Sequence, residues 1–153
     1  MPGRGKPTAF PTPQGSFELT RYPARANAPL QAWCSADSLL LEACNEQNIH
    51  SDDALVVNDD NGALTVALQP AALWTDSWLS AKAASNNLSA NKRMAVPVIW
   101  STESPPRRCN AVVMRVPRQL PYFEYQLAQL AATLPAGTLV LAAGMDKHLS
   151  PHT

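Results

Sequence analysis

A polar cluster follows an apolar run near the middle of the chain. After Val57 the sequence continues with Asn58, Asp59, Asp60, Asn61 and Gly62. An apolar run that ends in acids and a glycine is typical of the first strand and turn of a nucleotide-binding α/β fold, where several glycines let backbone N–H groups approach a cofactor. Here only one glycine remains. We therefore predict a structural turn, in which Asp60 or Asn61 caps the next helix. Residual cofactor binding is the alternative.

Asp76 ends the next apolar run, in "LWTDSW". In folds of this kind an acid at that position often binds the ribose hydroxyls of a cofactor. An aspartate before an amphipathic run is more often the N-cap of a helix. We expect Asp76 to cap a helix that begins at Ser77.

Basic residues follow the later apolar runs. Arg115 and Arg118 end one run, and Lys147 follows the next. Because the carboxyl ends of parallel strands share one edge of a sheet, these cations are candidate contacts for the phosphates of RNA. Arg107 and Arg108 precede a strand and are better explained as ordinary surface cations.

The elements that position these residues alternate along the chain. Predicted strands cover 16–23, 54–58, 71–76, 96–101, 111–117 and 138–144, and predicted helices begin near Ser35 and cover 61–69, 77–91 and 122–134. Strands that are apolar throughout are buried on both faces. We predict a three-layer α/β fold with an open, mostly parallel sheet. Its core should include the aromatic residues Trp74, Trp78, Trp100, Phe123 and Tyr125.

The predicted domain organisation is simple. Residues 1–15 are rich in Pro and Gly and are expected to form a disordered extension, and residues 16–153 form one domain. The chain stops shortly after the last predicted strand, so we expect a fold truncated at its C-terminal end. A short protein with a loose tail is the alternative.

Composition excludes several function classes. The chain has 153 residues, with 12 basic and 12 acidic side chains and no net charge, so no overall field attracts nucleic acid or membrane. Its three cysteines are widely spaced and its histidines lack partners at ligand spacing, so we predict no metal site and no disulfides. With no secretory signal and no apolar run of about 20 residues, we expect a cytoplasmic location.

Four segments carry a resemblance to a known family. They are "LTRYPARANAPLQAWCSADSLLLEA", "VVNDDNGALTVAL", "AVVMRVPRQLPYFEYQLAQL" and "TLVLAAGMDKH". Together, over about residues 16–150, they resemble the N-terminal domain of ribosomal RNA large-subunit methyltransferase G, a family related to the small-subunit methyltransferase C. The resemblance implies a degenerate class I methyltransferase (Rossmann-like) domain. A second domain, absent from this chain, would bind S-adenosylmethionine and methylate N2 of a guanine in ribosomal RNA.

The resemblance also implies what this domain lacks. Catalytic members of such folds carry Asn-Pro-Pro and an aromatic residue after the fourth strand, where this chain has Arg115, Val116, Pro117 and Arg118. An arginine cannot accept hydrogen bonds from the target amine. We therefore expect no catalytic and no cofactor-binding residues, with a degenerate site at Asn58, Asp59, Asp60, Gly62 and Asp76. The expected role is to help bind ribosomal RNA and to support the catalytic domain. The alternatives are a stand-alone S-adenosylmethionine-dependent methyltransferase and a purely structural domain.

Overall fold

Five parallel strands form the central sheet. The computed structural model describes residues 8–23, 31–49, 53–107 and 109–145. The chain begins with two short strands, β1 (Thr8–Thr12) and β2 (Gly15–Leu19), and the sheet strands follow as β3 (Ala54–Val57), β4 (Ala72–Thr75), β5 (Val98–Trp100), β6 (Ala111–Arg115) and β7 (Leu139–Ala143). The strand order is β5-β4-β3-β6-β7, with every neighbouring pair parallel. The predicted α/β fold with an open parallel sheet is confirmed.

Helices cover both faces of this sheet. They are α1 (Ser35–Glu46), α2 (Ala63–Leu68), α3 (Trp78–Ala90) and α4 (Leu120–Thr133). Alternate residues of the strands point to opposite faces. Val56, Leu73 and Val113 pack with α1, α2 and α3, whereas Val57 and Met114 pack against α4 on the other face. The three predicted layers are therefore present.

The N-terminal segment is more ordered than expected. The disordered extension predicted for residues 1–15 is wrong for residues 8–15, because β1 and β2 pair as an antiparallel hairpin. Phe10, Phe17 and Leu19 alternate inward from this hairpin and are buried in the main core. Trp33 stacks on Phe10 with ring centroids 4.7 Å apart. Residues 1–7 lie outside the described residues.

Two asparagines one turn apart, one in the last turn of α3 and one directly after it, hold the hairpin. Asn87 accepts a hydrogen bond from Thr20 N at 3.0 Å and donates to Thr20 O at 3.0 Å. Asn91 makes the same reciprocal pair with Glu18, at 2.9 and 2.8 Å. These amides satisfy backbone groups of β2 and of Thr20 just after it that no neighbouring strand pairs within the described segments, so the end of α3 covers this edge.

Two aromatic residues predicted for the core lie at the surface. Trp74 is fully buried, as expected, and Trp100 and Phe123 are partly buried. Trp78 is 60% exposed and Tyr125 is 41% exposed, so their assignment to the core is wrong. Trp78 occupies the first turn of α3, beyond the end of the sheet, and Tyr125 faces outward from α4 and donates to Ser101 O at 2.8 Å.

Two features are absent from the described residues. None of their helices is both long and apolar enough to span a membrane. No group of three or more His, Cys, Asp or Glu side chains in these segments is arranged to hold a metal ion.

Candidate functional site

A cleft lies where the strand order reverses. From β3 the chain builds outward through β4 to β5, then returns to the other side of β3 with β6 and β7. The connections that follow β3 and β6 therefore run to opposite faces of the sheet. Open α/β sheets bind ligands in the crevice between two such strand ends. A cleft of about 670 Å³ opens at this edge, within the size range of small-molecule sites. Its lining includes Arg21, Tyr22, Asp60, Asp76, Arg115, Arg118 and Tyr122.

Asn58 closes the part of the edge that lies between β3 and β6. Its backbone is left-handed, with φ of 61°, which asparagine tolerates better than most residues. Its side-chain amide pairs reciprocally with Gln126 of α4 at 2.7 and 2.9 Å, and also donates to Arg115 O at 3.1 Å. Gln126 is fully buried. The amide pair therefore ties the end of β3 to α4 across the end of β6.

Asp59 supplies the cap of α2. Its Oδ2 accepts hydrogen bonds from Thr65 N at 2.8 Å and from Thr65 Oγ1 at 2.7 Å. Its Oδ1 is buried and has no partner among the described residues. Burial, with a smaller contribution from Asp37, raises the pKa of Asp59 to about 6. The turn is structural in this respect, but the prediction that Asp60 or Asn61 caps the helix is wrong.

Gly62 is required by helix packing. It stands at the N-cap position of α2 with φ of 91°, in the left-handed region that favours glycine. A Cβ at this position would lie 2.6 Å from Ala84 Cα on α3. The remaining glycine of the turn therefore allows α2 and α3 to approach, which explains its presence without a cofactor.

Arg115 joins three elements from a buried position. Its Nη1 donates to Asp37 Oδ1 at 2.8 Å, and its Nη2 lies 3.5 Å from Asp60 Oδ2. Asp37 in turn accepts from Cys34 N at the start of α1. The Arg115 side chain is only 9% exposed. Burial alone would lower the pKa of Arg115, but the carboxylates of Asp37 and Asp60 more than offset it, so the guanidinium remains charged.

This arrangement does not favour the predicted role of Arg115. A buried guanidinium that already pairs with a carboxylate is poorly placed to bind RNA phosphates, and an RNA contact at Arg115 stays a prediction. Burial raises the pKa of Asp37 even beside this cation. Arg115 Nε is also buried without a partner among the described residues, although the side chain lines the cleft.

Asp76 does not cap α3. The N-cap is Ser77, whose hydroxyl accepts from Ser80 N at 3.1 Å, so the predicted cap is wrong by one residue. The Asp76 side chain is left exposed on the lining of the cleft. Tyr122 of α4 lies close by, with a buried hydroxyl next to Asp76 and Ser101. Burial, and to a smaller extent Asp76, raises the pKa of Tyr122.

The two remaining predicted cations that the structure describes lie at opposite edges of the sheet. Arg118 is exposed and lines the cleft. Arg107 is exposed in the loop before β6, at the opposite edge of the sheet. Lys147 and Arg108 lie outside the described residues. Sequence reasoning missed Tyr22, Asp37, Tyr122 and Gln126, because only the fold brings them to this edge; Arg21, in the same segment as Tyr22, also lines the cleft.

Comparison with known proteins identifies the family. The family model described as the RLMG N-terminal domain matches residues 7–153. The chain belongs to this family. It is 41% identical over 146 residues to a ribosomal RNA large subunit methyltransferase G of Ectopseudomonas mendocina (strain ymp), an alignment that covers 92% of this chain and 39% of the relative. A protein of the same name from Streptomyces griseus is 36% identical over 153 residues, with 94% and 40% covered. The chain thus spans about two fifths of the length of these curated relatives.

A solved structure supports the fold. This RLMG N-terminal domain resembles an S-adenosylmethionine-dependent methyltransferase from Clostridium acetobutylicum ATCC 824, with a TM-score of 0.53. The match covers 70% of this chain and 48% of that chain, at 16% identity. The likeness shows the methyltransferase-like fold, and the chemistry of this domain must be argued from its own residues.

Proposed function

We propose that this chain is the non-catalytic N-terminal part of an S-adenosylmethionine-dependent ribosomal RNA (guanine-N2)-methyltransferase, and that it helps to bind the RNA. The family membership and the relatives, both named ribosomal RNA large subunit methyltransferase G, support this proposal. In those relatives the matched segment is followed or preceded by sequence of more than its own length. S-adenosylmethionine would bind to the catalytic part.

The pairing of the side chains at the switch point is the observation that carries the non-catalytic role. Asn58 and Arg115, at the carboxyl ends of β3 and β6, line the cleft. Both are already engaged within the domain, Asn58 with Gln126 and Arg115 with Asp37, so neither is free to hold the amino-acid tail of S-adenosylmethionine. The end of β6 and the segment after it also lack the Asn-Pro-Pro-aromatic motif, and the side chains of Arg115 and Arg118 cannot accept a hydrogen bond from a target amine.

Arg118 is the described cation that best fits an RNA contact. It is exposed, unlike Arg115, and it lies at the carboxyl edge of the sheet beside the cleft. Lys147 remains a predicted RNA contact from its place in the sequence. Phosphate contacts of this kind contribute to affinity in a salt-dependent way and carry little sequence information.

RNA binding by a charge-reversal variant tests the proposal. Arg118→Glu should weaken binding of a ribosomal RNA fragment and lower the slope of log K against log salt by about 1. Arg107→Glu, an exposed arginine at the opposite edge, is the matched control and should leave the slope unchanged. Equal effects of the two variants would refute an RNA contact at Arg118.

A calorimetric titration with S-adenosylmethionine tests the non-catalytic role. No saturable heat is expected at millimolar cofactor with a cooperatively folded sample. Saturable binding in the micromolar range would instead support a stand-alone cofactor-binding domain.

A further inference from the structure

Trp78 is the most exposed aromatic side chain among the described residues. It is 60% exposed in the first turn of α3, compared with 41% for Tyr125. Tyr22 packs edge-on against the indole, with ring centroids 6.3 Å apart, which is a favourable geometry for two aromatic rings. The fold therefore fixes the position of the Trp78 ring but leaves most of it uncovered.

Trp78 begins a row of exposed side chains along α3. Trp78, Lys82, Ser85 and Ser89 follow one another at intervals of three or four residues, so they share one face of the helix, and all four are exposed. We call these four residues the α3 stripe. None of them lines the cleft at the switch point. The stripe is therefore a surface separate from that cleft.

The charge around the stripe favours a negatively charged partner. The chain as a whole is neutral, but residues 77–102 contain Lys82, Lys92 and Arg93 and no acid. Lys82 has no carboxylate within ion-pair distance in the described segments. The nearest acid before residues 77–102 is Asp76, which lines the cleft. A locally basic surface on a neutral chain attracts a polyanion.

An exposed ring followed by a cation suits unpaired RNA. Lys82 lies one turn beyond Trp78, about 6 Å along the helix axis. A base can stack on the indole while a neighbouring phosphate contacts the Lys82 ammonium group, and the hydroxyls of Ser85 and Ser89 can bond phosphate or the ribose 2′-hydroxyl. A protein partner fits less well, because lysine and serine are depleted in protein–protein interfaces.

We propose that the α3 stripe binds an unpaired segment of RNA, with one base stacked on Trp78 and an adjacent phosphate at Lys82. This inference rests on the proposed function, which supplies RNA as the partner. The ring contacts the face of the base rather than its hydrogen-bonding edges, so the stripe accepts any base. It recognises that the base is unpaired.

Binding of a short single-stranded oligoadenylate to the 153-residue chain tests the proposal. Trp78→Ala should weaken binding about 5- to 150-fold, the range for loss of one stacked base, without changing the slope of log K against log salt. Trp78→Phe keeps a ring and should retain most of the affinity. Lys82→Ala should reduce the size of the salt slope by about 0.7. The matched control is Tyr125→Ala on α4, which should bind as the unchanged chain does.

Tryptophan fluorescence gives a readout that a purely structural role of Trp78 would not change. The chain has four tryptophans, and a base stacked on Trp78 quenches the emission of that one. Oligoadenylate should therefore quench the unchanged chain, whereas Trp78→Phe should bind the same RNA without this quenching. A duplex of the same length should quench little, because its bases are stacked on each other.

Two results would overturn the inference. One is equal affinity of Trp78→Ala and the unchanged chain for single-stranded RNA. The other is quenching that persists in Trp78→Phe, which would place the base at another tryptophan.

The outcomes separate this inference from the proposed function. If Arg118→Glu weakens RNA binding and Trp78→Ala does not, the stripe fails and the proposed function stands. If Trp78→Ala weakens RNA binding and Arg118→Glu does not, the stripe stands and the contact at Arg118 fails. If a cooperatively folded chain binds no RNA at all, both fail.

Discussion

Replacing Asp59 with asparagine should remove a pH-dependent loss of stability from this domain. The folded protein holds the Asp59 proton more tightly than the unfolded chain does, since the pKa is about 6 in the fold against an ordinary value of 3.8. Its contribution to stability is therefore complete below pH 3.8 and is lost as the pH rises through 6. The difference between the two pKa values corresponds to about 3 kcal/mol.

The variant isolates this contribution. Asparagine keeps an oxygen that can accept from Thr65 N and Oγ1, but it cannot ionise. Its NH₂ group takes the place of Oδ1, which has no partner among the described residues. Burying this unpaired NH₂ group lowers the stability of the fold by a similar amount at every pH. The free energy of unfolding of Asp59→Asn, taken relative to that of the unchanged chain, should therefore rise by about 3 kcal/mol between pH 3.5 and pH 7.5.

Urea unfolding at a series of pH values measures this change. The free energy of unfolding of each variant is subtracted from that of the unchanged chain at the same pH, so that the other carboxylates cancel. Asp60→Asn is the control, because it replaces the neighbouring carboxylate, whose side chain is 68% exposed, and leaves the Thr65 hydrogen bonds of Asp59 in place. If the difference in free energy of unfolding between Asp59→Asn and the unchanged chain stays constant from pH 3.5 to 7.5, the reasoning is refuted.

Two further substitutions test how the turn at the end of β3 is built. Gly62→Ala should lower the free energy of unfolding by about 2 kcal/mol or more in urea denaturation, because it adds a Cβ 2.6 Å from Ala84 Cα at a φ of 91°; an unchanged midpoint would contradict the packing role. Gln126→Leu should cost about 1–3 kcal/mol in thermal or urea unfolding, because the Asn58 amide loses its buried partner; a neutral effect would show that the amide pair contributes little.

Hydrophobic periodicity predicted the sheet because its strands are apolar along their whole length. Each predicted strand from 54–58 to 138–144 contains the observed one, with the ends differing by at most two residues. The N-terminal hairpin was predicted only in part: the predicted strand 16–23 overlaps β2, but β1 was missed. The inward residues Phe10, Phe17 and Leu19 are separated by Pro, Thr and Gly, and they pack in a core formed with helices that come later in the chain.

The candidate site was predictable in position but not in chemistry. The rule that ligands bind at the carboxyl edge of parallel strands placed Asp76 and Arg118 correctly beside the cleft. The burial of Arg115 was not predictable, because its partner Asp37 is 78 residues away in the sequence. Only the packing of α1 against the end of β6 and β7 brings these two charges together.

The hydrogen bonds between α3 and the hairpin also set an order of events during synthesis. Glu18 binds Asn91, which is made 73 residues later, or about 4–15 s later at ordinary rates of translation. A two-stranded hairpin is at best marginally stable alone. Phe10 and Leu19 therefore cannot be fully buried until the later parts of their core have been synthesised. The nascent chain therefore exposes an apolar segment and an unpaired strand edge for several seconds. The yield of folded chain depends on what shields that segment until Asn91 emerges.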